Sequence, residues 1–396
     1  MSSGVRPGPR SPERILFFAD AASVHTRRWV AAVAERGAQA IVVTRNPGEA
    51  PGAQEVITLA PGSDKLSWFT ALPEVRRVSR ELMQRFRPDL VHGHYVTSYG
   101  LWAAACGLSV PKVLTAWGSD ILVTPRESRL MRLVVGWSLR RADLITADSL
   151  DMVEAIADYH PAASVQQILW GADTDRFCPA EPAPGFEVVS LRSWEPNYNI
   201  DLILEAFAQF LAQCPQAKAQ ARLHLLGGGS MDATLRARVE ALSMQAHVQF
   251  HGRVGDQAMV DAIQRSRVSV SVPTSDATSV SVLESMACGL PIIASDLPAN
   301  RQWVDARGGW ITPLRDASAI AQALLQAHEL PEQARAMGLH NRERIELDAS
   351  RRGQMDRMWR LYAQVLAPNL KGQVAVPEVK GAKAAEVAKG SKGRQA

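Results

Sequence analysis

Nowhere in the 396 residues is there a run of about 18 apolar side chains, so the sequence offers no candidate for a membrane-spanning helix. Cysteine is scarce: Cys106, Cys178, Cys214 and Cys288 lie far apart and form no CxxC pair. That spacing argues against a disulfide framework or a zinc ribbon and suits thiols in a reducing compartment. The formal net charge is only +4, too little for a general polyanion binder, so nucleic acid is not an expected partner. No GxxxxGK[ST] phosphate loop and no spaced GxGxxG fingerprint occurs. No Ser-His-Asp order or metal-ligand spacing stands out. Residues 1–13 are rich in Pro, Gly, Arg and Ser, and the apolar stretch after them is soon broken by Asp20. No secretory signal is expected there, and the expected location is cytoplasmic.

What is present is globular. Hydrophobic residues make up 46% and charged residues 21%, and the length accommodates two ordinary domains. Apolar runs at 14–19, 38–44, 90–93, 110–116 and 144–147 read as strands, with helical patterns at 25–36, 66–86 and 126–141 between them. The alternation restarts with runs at 187–191, 223–226, 248–251, 268–272 and 292–295. Strands alternating with helices form βαβ units and parallel sheets covered on both faces. Gly171, Pro179, Pro182, Pro184 and Gly185 accumulate between the halves. The expected organisation is a flexible N-terminus at 1–13, a Rossmann-like α/β domain at 14–178 and a second at 179–349. A closing helix at 350–366 returns to the first domain, with Trp359, Leu361, Tyr362 and Leu366 on its apolar side. The tail at 367–396 has too few large apolar groups to offset the entropy of ordering.

The densest information lies in residues 272–300, VPTSDATSVSVLESMACGLPIIASDLPAN. Pro273 closes a buried strand, a polar loop follows, and Ser279 is a candidate N-cap for a helix over 280–288 ended by Gly289 and Pro291. Another apolar strand comes next. Strand, polar loop and helix start is a geometry that presents free backbone N–H groups to a phosphate. Asp276 in the loop and Glu284 on the helix are two acids with seven residues between them.

This spacing resembles the acid-x7-acid signature of the retaining glycosyltransferases of family 4, usually Glu-x7-Glu, with Asp at the first position. Other segments resemble the family in the expected order. They are the Leu225–Gly229 glycine turn, the V-x-F-x-G strand Val248–Gly252, and Trp170-Gly171-Ala172-Asp173 with Phe177 and Pro179 at the domain junction. The resemblance runs over residues 14–366. It implies the GT-B architecture, two Rossmann-like domains facing each other across a cleft, and no required metal or cofactor. A nucleoside diphosphate sugar would be the co-substrate.

Carried over residue by residue, the resemblance places Glu284 on the ribose of the donor and Asp276 on the transferred sugar. A carboxylate accepts two hydroxyl hydrogen bonds at once, which suits vicinal hydroxyls. The leaving diphosphate calls for fixed positive potential. Candidates are Arg192, the hydroxyls of Ser279 and Thr278, and the amide of Val280 at the helix start. The lysine found in the family a few residues after its arginine is absent; Asn197, Tyr198 and Asn199 stand in that neighbourhood, and Arg27 or Arg28 of the first domain could close over the phosphate instead. Gly228 and Arg253 complete the expected donor side. On the acceptor side the candidates are His25, His94 and Asp120, with Trp117 where many family members carry histidine; His92 reads as a core histidine.

Residues 126–141 combine Arg126, Arg129, Arg132, Arg140 and Arg141 with Leu130, Leu133, Val134 and Trp137 at helical spacing. Two readings stand: a core-packing helix with a cationic outer face, which we favour, or a helix lying on anionic lipid with access to a lipid-linked acceptor. Lys371, Lys380, Lys383, Lys389 and Lys392 in the tail could add weak attraction to an anionic membrane. The expected activity is retaining transfer of a hexose from a nucleoside diphosphate sugar to a hydroxyl acceptor, in cell-surface polysaccharide or glycolipid synthesis, by a cytoplasmic protein that could be peripheral on the inner membrane face. A sugar-nucleotide epimerase and a catalytically degenerate sugar-nucleotide-binding protein are the alternatives.

Overall fold

The computed structural model describes residues 11–59 and 67–367. Most of the tail expected at 367–396, and most of the N-terminal segment at 1–13, lie outside the described residues. The first sheet contains β1 (Arg14–Phe18), β2 (Gln39–Thr44), β3 (Glu55–Thr58), β4 (Leu90–His94), β5 (Lys112–Thr115), β6 (Leu144–Ala147) and β7 (Ser164–Gln167). Their order across the sheet is β3-β2-β1-β4-β5-β6-β7. The second sheet contains β8 (Phe186–Ser190), β9 (Ala221–Leu226), β10 (Val248–Gly252), β11 (Val268–Ser271), β12 (Ile292–Ser295) and β13 (Gly309–Thr312), ordered β10-β9-β8-β11-β12-β13. Every pairing in both sheets is parallel. The strand order reverses between β1 and β4 in one sheet and between β8 and β11 in the other. In such sheets ligands bind beyond the carboxyl ends of the strands at the reversal.

Three strands have no counterpart in the apolar runs of the sequence: β3, β7 and β13. All three are sheet edges of four residues each, and β3 and β7 are mostly half-exposed. An edge strand buries too little to need a continuous apolar run. Two expected helices are broken. The 66–86 pattern is split into Ser67–Thr70 and Leu72–Arg85, the second opening with Pro73 in its first turn. The 126–141 pattern is split by Ser128, whose extended backbone ends Thr124–Glu127 and whose Oγ caps Arg129–Leu139 by accepting from the Met131 amide at 3.3 Å.

The chain crosses to the second sheet after β7 and returns beside the same place. The Ala172 amide donates to the Ala349 carbonyl at 2.9 Å, and the Arg351 amide donates to the Ala172 carbonyl at 2.8 Å. Gly171 has φ +67, and a Cβ on it would stand 2.7 Å from the Arg351 Cα, so only glycine fits between the crossings. The final helix, Arg351–Leu366, then lies on the first sheet. Met355, Met358, Leu361 and Tyr362 join Ile15, Phe17, Trp29 and Val30 in one core, each large buried side chain contributing about 1.5–3 kcal/mol. Trp359 and Leu366, expected on the apolar side, are half-buried at its border. Tyr362 Oη accepts from Trp29 Nε1 at 3.0 Å and lies 2.6 Å from His92 Nδ1.

Candidate functional site

Arg192 comes two residues after β8, at the strand reversal. The glycine turn 227–229 after β9 fixes its loop. Gly227 has φ +156, and a Cβ there would lie 2.3 Å from the Arg192 carbonyl oxygen; one on Gly229 would lie 2.4 Å from that of Trp194. The glycines therefore admit the 192–195 backbone, and Gly228, expected against the donor, accepts the Trp194 amide at 3.2 Å. Arg253 is exposed beside Gly228, its side chain 3.3 Å from where a Gly228 Cβ would be.

The Arg192 guanidinium reaches across to the loop after β11. Its Nη2 donates to Asp276 Oδ2 at 2.6 Å, and its Nη1 donates to Ser279 Oγ and, at 3.3 Å, to Ser281 Oγ. Tyr198 supports it from one face, with its ring centroid 4.3 Å from the guanidinium carbon. Ser279 holds the N-cap position of the helix Val280–Ala287, but its side chain makes no cap bond and accepts from Arg192 instead. Val280 thus opens a helix whose first amides face a fixed guanidinium. A cation beside a helix N-terminus is a site for a dianionic phosphate group. Burial pushes the Asp276 carboxyl up, and Arg192 opposes the rise.

Eight residues on, Glu284 is 3% exposed and accepts from Arg28 Nη1 at 3.1 Å. Arg28 belongs to the helix Val24–Glu35 of the first domain, so this ion pair spans the cleft. Burial raises the Glu284 carboxyl, with Arg28 opposing. Arg27 is exposed; Arg28 is the one of the two that meets the second domain.

The facing wall is aromatic. His25, Trp29, His94, Trp117 and Trp170 pack edge to face or tilted, with ring centroids 4.6–5.9 Å apart. His94 is fully buried, and neither of its ring nitrogens has a partner among the described residues. The same holds for His25 Nδ1 and Trp117 Nε1. Burial lowers His25 to about 4, with Arg28 and Arg351 adding to the effect. It lowers His94 to about 3, with His25 adding. His92 lies between Tyr362 Oη and Thr115 Oγ1, both at 2.6 Å, as a bonded core histidine, also held neutral by burial.

Four of the expected site residues are covered or bonded within the fold. Asp120 is fully buried and accepts the amides of Val96 at 2.6 Å and of Trp117 and Gly118 at 3.0 Å, which shapes the Trp117 loop. Burial raises it to about 6 against those three bonds. His94 is covered by the indoles of Trp29, Trp117 and Trp170 and does not border the cleft. Thr278 donates to the Asp148 carbonyl of the first domain, joining the two walls. Asn199 is buried at φ 50, and its amide donates to the Val272 carbonyl at 2.8 Å and Thr274 Oγ1 at 3.0 Å, tying together the loops after β8 and β11. Asn197, where the family lysine is missing, exchanges hydrogen bonds with the Ser275 backbone at 2.8 and 3.1 Å.

Sequence reasoning missed Asp148. It follows β6, is 3% exposed, and has Oδ1 unpartnered. Burial, then Asp276, Asp120 and Asp151, push its carboxyl well up. The one available signal was its place directly after an apolar strand, at the carboxyl end of the first sheet.

A cavity of about 370 Å³ opens between the walls, lined by Trp117, Ser119, Leu122 and Val123 on one side and Tyr198 and Asp276 on the other. A larger one, about 510 Å³, lies at the opposite ends of the second sheet's strands near Phe186, Arg267 and Pro291, away from these groups. Among the described residues no cluster of His, Cys, Asp or Glu could hold a metal ion, and no helix is long and apolar enough to cross a membrane.

The family model "Glycosyl transferase 4-like" matches residues 14–149, and "Glycosyl transferases group 1" matches residues 172–344. The chain is 32% identical over 272 residues to the D-rhamnosyltransferase WbpZ of Pseudomonas aeruginosa, covering 63% of this chain and 67% of that one. It is 25% identical over 263 residues to a D-inositol 3-phosphate glycosyltransferase of Geodermatophilus obscurus, covering 60% and 58%. The matched stretches thus span between about half and two thirds of the curated relatives' lengths. Among solved structures, sucrose-phosphate synthase from Thermosynechococcus elongatus superposes with a TM-score of 0.75 at 19% identity, covering 89% of this chain and 99% of that one. Anabaena HepE in complex with UDP-glucose does so at 0.73 and 17%, covering 88% and 98%. At these identities the structures speak for a shared fold, two Rossmann-like domains of GT-B type.

Proposed function

Because the chain belongs to the group 1 glycosyltransferases, we propose that it transfers a hexose from a nucleoside diphosphate sugar to a hydroxyl acceptor, with retention of anomeric configuration. The observation that carries this reading is the Arg192 guanidinium bonded to both Asp276 and Ser279 at the start of the helix Val280–Ala287. In this reading the diphosphate lies against Arg192 and the Val280 amide. These fixed charges stabilise the negative charge that grows as the glycosidic bond breaks. Glu284 accepts the ribose hydroxyls and Asp276 a hydroxyl of the transferred sugar. The acceptor enters beside Trp117 on the same face as the leaving phosphate, whose oxygen takes the acceptor proton, so no enzyme nucleophile is required.

The named neighbours and relatives favour a sugar-nucleotide donor and a place in polysaccharide or glycolipid synthesis. A thermal-shift screen of sugar nucleotides finds the donor, because binding stabilises the fold with occupancy. Product analysis with and without acceptor then tests the reaction: glycosylated acceptor with the α or β configuration of the donor kept is the expected result. Inversion of the anomeric centre refutes retention. Altered sugar without acceptor identifies an epimerase, and nucleotide binding without any product identifies a degenerate binding protein.

A further inference from the structure

The helix Arg129–Leu139 buries only one side. Val134, Val135 and Leu139 are buried, and Val135 and Leu139 pack into the core of the first domain. Leu130 and Leu133, expected from their spacing to join them, are instead 57% and 68% exposed. They are among the most exposed large apolar side chains described. Arg126, Arg129, Arg132, Arg140 and Arg141 are exposed around them. None of the five takes part in an ion pair among the described residues, so the face carries five cations with no acid bound to them. Trp137 is half-buried at the edge of this face, with the Arg141 guanidinium 3.8 Å above its ring. The acids near it are Glu127 on the preceding turn and Asp158, which shares the surroundings of Tyr159 with Arg126 and Arg132.

Two exposed leucines, an indole and a ring of unpaired guanidinium groups are two signals on one face. The leucines have nothing to gain from water. The arginines have long apolar stems that can lie along an apolar phase while their heads stay at its edge. A helix face of this chemistry suits a surface that is oily below and anionic above. The face also begins at the cleft: Ser119, Leu122 and Val123, a few residues earlier, line the cavity that holds Trp117 and Asp276.

We propose that the face formed by Thr124–Glu127 and Arg129–Leu139 docks on an anionic lipid bilayer, with Leu130 and Leu133 entering the headgroup boundary, and so presents the cleft to a lipid-linked acceptor. The acceptor clause rests on the function proposed above; the docking itself does not.

The test uses the full chain and vesicles of phosphatidylcholine with or without phosphatidylglycerol. The protein is expected to co-sediment with the anionic vesicles, to release as salt is raised, and to ignore the neutral ones. Leu130→Ser/Leu133→Ser is expected to weaken binding about tenfold or more. Arg129→Glu/Arg132→Glu is expected to weaken it at least as much, since each arginine lost accounts for roughly a fivefold change. Both variants alter exposed side chains and should keep the wild-type melting temperature and transfer to a soluble acceptor. Absence of wild-type binding, equal binding to neutral vesicles, or unchanged binding in both variants overturns the proposal. So does a wild-type dimer in analytical ultracentrifugation that the leucine variant dissociates, because the face is then an interface between two copies. Failure of transfer to every acceptor, with vesicle binding intact, would refute the proposed function and leave the docking face standing.

Discussion

On the wall built by the second sheet, the Arg192 guanidinium finds Asp276, Ser279 and Ser281, and every one of those bonds points toward the start of a helix. On the wall built by the first, His94 has two ring nitrogens and neither finds a partner, amid indoles and another histidine. Both walls stand at the reversal of strand order of a parallel sheet, so topology does not distinguish them. Chemistry does. One wall is charged and hydrogen-bonded before any ligand arrives, as the proposed recognition of a diphosphate requires. The other is mostly aromatic, with His25 and His94 lowered far below the usual histidine range and its one cleft-spanning cation, Arg28, taken up by Glu284.

That contrast can be broken most severely at Arg192. Arg192→Ala is expected to lower turnover about 100- to 1,000-fold, the usual effect of removing a donor to developing charge, with a smaller rise in the donor Michaelis constant. Arg192→Lys should recover only part, because a point charge cannot serve Asp276 and both serines together. Wild-type turnover in Arg192→Ala would mean that the charged wall is structural.

Glu284→Gln is expected to weaken donor binding by about 1.5–3 kcal/mol, the range for a hydrogen bond to a charged group. Unchanged affinity by calorimetry would remove Glu284 from the donor site. Arg28→Ala sharpens the same point from across the cleft. It leaves a buried carboxylate without its partner, so urea unfolding at neutral pH should show a loss of about 1–3 kcal/mol, and Arg28→Ala/Glu284→Gln should recover much of it. Additive losses in that cycle would show that the two groups do not interact.

The smallest effect lies on the neutral wall. His25 and His94 titrate near 4 and 3 in the folded chain, against an ordinary value of 6.5. Below pH 6.5 the unfolded chain takes up protons that the folded chain refuses, so stability falls as the pH drops from 6.5 toward 4. Asp120, raised to about 6 from 3.8, works with the opposite sign: it keeps its proton when folded and favours the folded state as the pH falls through that window. His94→Leu should therefore flatten the acid limb of a melting-temperature profile while costing little at neutral pH, since no hydrogen bond is lost. An unchanged acid limb would show that His94 is not the group refusing the proton.

The interior strands were legible because each buries both faces and reads as an apolar run, as in Leu144–Ala147 and Ile292–Ser295. The edges β3, β7 and β13 were not, having little to bury. Asp276 and Glu284 were legible as a spaced acid pair, and Arg192 as the arginine after a strand, both through the family resemblance. Their bonding was not, because the partners of Arg192 lie 84 to 89 residues away and that of Arg28 lies 256 away, and no local spacing encodes such a pair. Helical spacing suggested that Leu130 and Leu133 would pack with Val134. Periodicity locates a stripe, but what covers the stripe is decided by elements elsewhere in the chain.

The helix Arg351–Leu366 bears on the order in which a nascent chain can finish folding. Its Met355, Met358 and Tyr362 complete the core around Phe17 and Trp29, and the Tyr362 hydroxyl links Trp29 to His92. Synthesis makes the first sheet early, yet the cover for one of its faces is translated only after the whole of the second sheet. The second sheet and its own helices are all available before that helix is translated. The later half can therefore close while the earlier half still shows an apolar face to water, an interval in which a chaperone or a premature stop decides the fate of the chain.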